Sequence, residues 1–230
     1  MSDSLPRALD LLWREPREPE RSRGLSRERI VRAAIELADA EGLDALSMAR
    51  LAERLGCGTM SLYRHVANKD ELVIFMSAAA VGRPPVIVNP TDWAEALTDW
   101  ANGLWEVYHR HPWVLKAVSQ GPPADPGQLA WLDAGLAALA RTGLAEREKL
   151  AAVMAMLHFV RGAAAVDIEA GRTDWADYPA LLRRLIDPQR FPALAAALQD
   201  GVFDHADNDS YADFRSGLAQ LLDGIATRIG

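Results

Sequence analysis

From Ser26 onward the apolar residues recur at three- and four-residue steps, and no stretch shows the one-in-two alternation of a half-buried strand. A chain patterned this way is expected to be all-α, helices packed on helices. Glycine and proline cut the pattern into segments. Ser26 caps a helix stopped by Gly42, and Ser47 caps a short one with Leu51, Ala52 and Leu55 turned inward. Gly56-Cys57-Gly58 is a turn, and Thr59 caps a helix of barely two turns ending near Val66. Asn68, with Glu71 three residues on, resembles a capping box and opens a helix through about Val81. Gly82-Arg83-Pro84-Pro85 and Asn89-Pro90 then break the chain. Further helices are predicted near 91–110, 112–119, 126–142, 146–170, 192–200 and 209–229, with 171–191 the least regular stretch.

Three parts follow: an Arg-, Glu- and Pro-rich arm over 1–24, a small helical domain over 25–82 and a larger one over 90–230. The arm reads as flexible, although Leu5, Leu9, Leu12 and Trp13 could form one short amphipathic helix. Its Arg run, continued by Arg27, Arg29 and Arg32, either reaches phosphates as basic arms do or is a solvated tail. Half of the residues are hydrophobic, enough for a sizeable core without staples. The single cysteine, Cys57, allows no internal disulfide, which points to a reducing, cytoplasmic setting. The N-terminus lacks the apolar core of a signal peptide. No uncharged apolar run reaches the ~18–20 residues of a membrane span, so no membrane partner is expected.

Net charge is −7, at first sight unfavourable for a polyanionic partner. The acid is unevenly spread: residues 1–80 carry 12 Lys and Arg against 13 Asp and Glu, residues 81–230 carry 13 against 19. Screening over roughly 8 Å at physiological salt lets a local basic face act despite remote acid.

The informative segment is LSMARLAERLGCGTMSLYRHVANKDEL, residues 46–72. A capped helix, a glycine turn and a second short helix make a helix-turn-helix over 47–65. Leu51, Leu55, Leu62 and Val66 supply a shared core, which leaves Thr59, Ser61, Tyr63, Arg64 and His65 for solvent or a ligand. Tyr and His can donate to phosphates, and Ser and Thr can reach base edges. Lys69, at the start of the next helix, can hold a phosphate together with backbone N–H groups. The same pattern also fits a plain helical hairpin with Tyr63 as a packing residue.

IVRAAIELADAEGLDALSMARLAERLG followed by TMSLYRHVANKDELVIFM resembles the DNA-binding domain of the tetracycline-repressor family, with Leu-Tyr-x-His and Asn-Lys-x-x-Leu the specific part. Residues 91–113 resemble that branch's C-terminal domain more loosely. The resemblance implies a DNA-binding transcriptional regulator, a repressor released from double-stranded operator DNA by a small-molecule effector, acting as a homodimer. It implies that Thr59, Met60 and Ser61 face base edges, that Tyr63, His65 and Lys69 hold the backbone, and that Ser47, Met48 and Ala49 approach DNA from the supporting helix. Met48, Ala49 and Met60 depart from the tetracycline repressor itself, so a different operator is expected.

Five of seven tryptophans fall within 93–131. Trp100, Trp105, Trp113 and Trp131, with Met154, His158 and Arg161, are candidates to line a ligand cavity; a plain aromatic core is the competing reading. Leu157, Leu218, Leu221, Leu222 and Ile225 form apolar seams that either pair across a two-fold or pack within one subunit. His109 and His111, two residues apart, point to different sides of a helix, and no metal is expected. Without a phosphate loop, a nucleophile elbow or a metal-spaced cluster, neither enzyme activity nor a cofactor is expected.

Overall fold

A computed structural model describes residues 6–14, 24–86, 92–118, 123–172, 178–203 and 210–229. The described residues form α1 (Arg7–Trp13), α2 (Arg27–Glu41), α3 (Met48–Leu55), α4 (Thr59–Tyr63), α5 (Lys69–Val81), α6 (Trp93–Arg110), α7 (Trp113–Val118), α8 (Pro126–Ala138), α9 (Glu146–Ala170), α10 (Tyr178–Leu185), α11 (Pro192–Gln199) and α12 (Ser210–Ile229), with a 3₁₀ turn at Leu43–Ala45.

The starts are set by side-chain caps. Ser26 Oγ accepts from Arg29 N, Ser47 Oγ from Arg50 N (both 3.2 Å), Asn68 Oδ1 from Glu71 N (2.8 Å) and Asp125 Oδ1 from Gln128 N (3.0 Å). The α3–α4 turn is closed by Gly56 at φ 66°, ψ 36°, a left-handed conformation cheap only for glycine. Gly56 N and Cys57 N donate back to Glu53 O and Ala52 O, which satisfies two carbonyls at the end of α3.

α2, α3 and α4 enclose a small core of Ile30, Ala34, Leu37, Leu51, Leu62 and Val66. α5 closes that core and also packs against α6, α7 and α8. One apolar core therefore runs from the helix-turn-helix into the larger part, where α6, α8, α9 and α12 bury Leu97, Trp100, Val153, Met156, Val160 and Phe214.

Two expectations need correction. The arm over 1–24 is not wholly free: the short amphipathic helix given as its alternative forms as α1, Arg7–Trp13, packed on α5 with Ala8 buried, because Ala8, Leu11 and Leu12 share one face. Arg17, Arg21 and Arg23 of the Arg run lie outside the described residues. The stretch expected to be irregular holds α10, whose Leu182 is buried; eight residues with Pro179 near the start gave too short a period to read.

α9 and α12 meet closely at Gly217, where a Cβ would lie 2.6 Å from Phe159 Cζ, and Phe159 is itself stacked on Phe214. Gly217→Val is therefore expected to cost ~1–3 kcal/mol through overpacking. Denaturant unfolding of variant and wild type measures this, and equal stability would show that the ring moves aside freely.

Candidate functional site

The helix-turn-helix presents one end of the molecule to solvent. Leu62 and Val66 anchor α4 from beneath, which turns its other side outward. Met60 is 76% exposed and Tyr63 44%. Arg64 is exposed, and Thr59, Ser61 and His65 are half-buried. Arg64 Nη2 donates to Ser61 Oγ at 3.2 Å, which pre-orders two of the predicted contact residues. Ser47 and Met48 are half-buried at the start of α3, Ala49 is exposed beside them, and Lys69 sits in the first turn of α5 with Nζ 3.5 Å from Leu43 O. All ten predicted residues thus lie on the α3–α4 unit and the adjoining first turn of α5. α4 is shorter than expected: its helix ends at Tyr63, and Arg64 and His65 lie in the following turn.

The spacing from Asn68 predicts Glu71 as the far half of a capping box. It is buried, and its carboxylate accepts from Ala67 N at 2.9 Å, one residue before the cap. Arg7 Nη1 completes the set at 2.7 and 3.0 Å, a partner from α1 that the local pattern could not reveal.

The second feature is a cavity of about 30 Å³ lined by Trp100, Leu104, Tyr108, Trp131, Met154 and Arg161, with Val81, Pro123, Gln128 and Leu157 also in its wall. Of the predicted pocket set, Trp100, Trp131, Met154 and Arg161 converge here, and three residues do not. Trp105 stacks on Phe214 with ring centroids 4.3 Å apart. Trp113 Nε1 donates to Asp39 Oδ1 at 2.7 Å, towards α2. His158 is exposed on α9. Trp100, Leu104 and Tyr108 stand four apart on one face of α6, and Trp105 is turned about 100° away from Leu104. That spacing would have found Tyr108, which the sequence reading missed.

The cavity is apolar apart from a small donor set. Arg161 Nε donates to Tyr108 Oη at 3.1 Å. Burial raises the Tyr108 pKa above its ordinary value and outweighs the nearby guanidinium, so the phenol stays protonated at neutral pH and can donate its own hydrogen. Trp100 Nε1 is spent on Trp131 O at 2.7 Å, and Trp131 Nε1 on Val81 O at 3.2 Å. Val81 is the last residue of α5, so the cavity wall is tied directly to the helix that closes the helix-turn-helix core.

The seam residues divide. Leu218 and Ile225 are buried within the protomer and Leu157 turns to the cavity, so these three do not form a free seam. Leu221 and Leu222 stay half-buried. The uncovered apolar positions of α9 lie elsewhere, at Leu150, Ala151, Ala155, Ala165 and the 71%-exposed Val166. By length and composition alone α9 is apolar enough to cross a membrane.

Three polar contacts join α7 and the residues before it to the small domain. Asp39 Oδ1 accepts from Trp113 and lies 2.8 Å from His111 Nδ1; Lys116 Nζ donates to both oxygens of Asp44 at 2.7 and 2.9 Å. His109 has a separate partner, Asp167, at 2.7 Å.

Comparison with known proteins places this geometry. Residues 30–75 match the family described as bacterial regulatory proteins, tetR family, and residues 88–229 match the one described as tetracyclin repressor-like, C-terminal domain. The HTH-type transcriptional repressor DrrR1 of Streptomyces coeruleorubidus is 34% identical, over 97% of this chain and 86% of its own. The class A tetracycline repressor of Escherichia coli is 29% identical over 86% of this chain and 89% of its own. The TetR family protein ActR of Streptomyces coelicolor, solved in complex with actinorhodin, superposes with a TM-score of 0.77 at 27% identity, covering 90% of this chain and 99% of ActR.

Hydrogen bonding to Lys116 and its charge lower the Asp44 pKa. This pair stabilises the fold above the ordinary carboxylate range and ceases to as pH falls through the lowered value. Lys116→Met is therefore expected to lower Tm at neutral pH by a small amount, and the gap from wild type should close below about pH 4. Thermal unfolding across this range tests it, and a gap independent of pH would assign the loss to packing.

Proposed function

The chain belongs to the tetR family of bacterial regulatory proteins and is a DNA-binding transcriptional regulator, and we propose that it represses by gripping an operator as a homodimer and lets go when a small molecule wedges open the cavity around Trp100 and Trp131. The observation that carries this reading is the bond from Trp131 Nε1 to Val81 O, which makes cavity and helix-turn-helix share α5.

The cavity of about 30 Å³ has room for a water molecule or two. An effector of ordinary size needs roughly 300–1,000 Å³. Entry must therefore displace the wall. Trp131 is the wedged part of it, so tightly seated that a Cβ on Gly103 would lie 2.9 Å from its Cη2. Shifting Trp131 withdraws the hydrogen bond that holds the end of α5. The two recognition helices, which must meet successive major grooves ~34–36 Å apart, then lose their spacing. Coupling of ~1–3 kcal/mol would change operator affinity roughly 5- to 150-fold, and DNA would weaken effector binding by the same factor.

The lining suits a flat, mostly apolar effector that carries a carbonyl or an anionic group. Two indoles and Met154 offer apolar surface, Tyr108 and Arg161 offer donors, and no carboxylate lines the cavity among the described residues. ActR has been solved in complex with actinorhodin and with (S)-DNPA, which supports a small-molecule effector for this chain. At the DNA face Thr59, Met60 and Ser61 read base edges, Tyr63, Arg64, His65 and Lys69 hold phosphates, and Ser47 and Met48 support from α3. The dimer forms through α9 and α12, with Ala151, Ala155 and Val166 at the contact and Leu221 and Leu222 at its border. Such a regulator works in the cytoplasm.

Selection of random duplex DNA by the purified protein tests the reading as a whole: an enriched palindrome is expected, and salt-sensitive binding without enrichment would sink it. On the selected operator, Tyr63→Phe should weaken all sequences equally, by about 0.5–1.5 kcal/mol for one hydrogen bond; an altered base preference would reassign Tyr63 to base readout. Val166→Arg should turn the sedimenting species from dimer to monomer with helical content unchanged, and a persistent dimer would move the interface off this face of α9.

A further inference from the structure

α1 lies outside both stretches that match the family, yet it touches the two regions the proposed switch must connect. At one end Arg7 holds the buried Glu71 carboxylate, whose Oε1 also accepts from Ala67 N in the turn that follows the recognition helix. At the other end Trp13 Nε1 donates to Ala124 O at 3.0 Å. Ala124 sits between Pro123, which lines the cavity, and Asp125, which caps α8 through Gln128 N, and Gln128 lines the cavity too. Between these ends Ala8 is buried against α5, with Leu11 and Leu12 packed beside it. The start of α8 also abuts the end of α5, since a Cβ on Gly127 would come within 3.3 Å of Ala78 O and Gly82 O.

We propose that α1 is a coupling strap, with Arg7 and Trp13 as positioning residues that tie the cavity wall at Pro123–Gln128 to the turn behind the recognition helix at Ala67–Glu71. Three features support it. The Glu71 carboxylate is buried and shared between Arg7 and the Ala67 amide, so losing Arg7 leaves a buried charge with one partner fewer and loosens that turn. Trp13 bonds a main-chain carbonyl of the segment that must move if the cavity widens beside Pro123. The packed face between them makes α1 short and stiff enough to carry a displacement from one end to the other. The switching role rests on the cavity being the effector site; the mechanical link does not.

Amide hydrogen exchange on the full-length protein tests the link with neither DNA nor effector. Trp13→Phe keeps the ring and deletes one N–H at the cavity end. It should speed exchange of the Ala67 and Glu71 amides by at least about five-fold, the lower end of ordinary coupling between sites. Arg7→Met should do the same to the Gln128 and Leu129 amides, both bonded to Asp125, and Arg7→Lys should restore much of the protection. Faster exchange confined in each variant to its own end would overturn the strap, as would equal effects of Arg7→Met and Arg7→Lys. On an operator obtained by selection, Trp13→Phe should shift affinity by a similar factor, although Trp13 is no part of the DNA face. Unchanged affinity beside altered exchange at Ala67 would overturn the switching role alone, and a wild type that selects no operator would count against the regulator reading while the exchange result still decides the link.

Discussion

The architecture depends on α5 being shared. Its inner face closes the helix-turn-helix core, its flank packs on α6, α7 and α8, and each end is held by a group from elsewhere: Glu71 by Arg7, and Val81 O by Trp131. A buried carboxylate without its partners is costly, and so is an unpaired carbonyl in an apolar wall. Neither end can shift without a polar group seeking a new partner. α5 therefore has a definite rest position, which a ligand in the larger part can act against.

The cavity is nearly closed in this conformation, and that bears on how the regulator works. A wide preformed pocket would bind a ligand with little consequence for α5. Here the aromatic wall fills the space, with Trp100 and Trp131 edge to face at 6.2 Å. Opening it would cost packing and a hydrogen bond, and on the proposed reading an effector has to replace both. On the proposed switch, the affinity forgone in opening the wall would be what moves the DNA-binding end, because a ligand shifts an equilibrium only by its differential interaction with the two states.

α9 shows how composition and context separate. Its apolar residues run round most of the helix, which satisfies the length and hydropathy of a membrane span. In the fold Val153, Met156, Val160 and Ala164 face the core, Leu157 and Arg161 border the cavity, and Ala151, Ala155, Ala165 and Val166 are left uncovered. A helix apolar all round needs cover on more than one side, and family members act as dimers, so a second copy is the natural cover.

Much of this was legible in the sequence. The all-helical class, the bounds of α9 and the caps at Ser26, Ser47 and Asn68 follow from interactions within one turn of chain, which three or four neighbouring residues decide. The helix-turn-helix and its outward residues followed from a glycine turn and a two-sided pattern of the same short range. Other features depended on contacts far apart in the chain: Arg7 with Glu71, Trp13 with Ala124, Trp113 with Asp39, and the division of α6 between a cavity face bearing Tyr108 and a core face bearing Trp105. Periodicity tells that a residue is turned inward but not which neighbour it meets, since every apolar partner gains about the same from burial. Leu218 could therefore be read as a partner seam when it is core, and α1 as a free arm when it is docked. Local hydrogen bonding wrote the elements into the sequence; the choice among equivalent apolar faces, and with it the cavity, was made only when the helices packed.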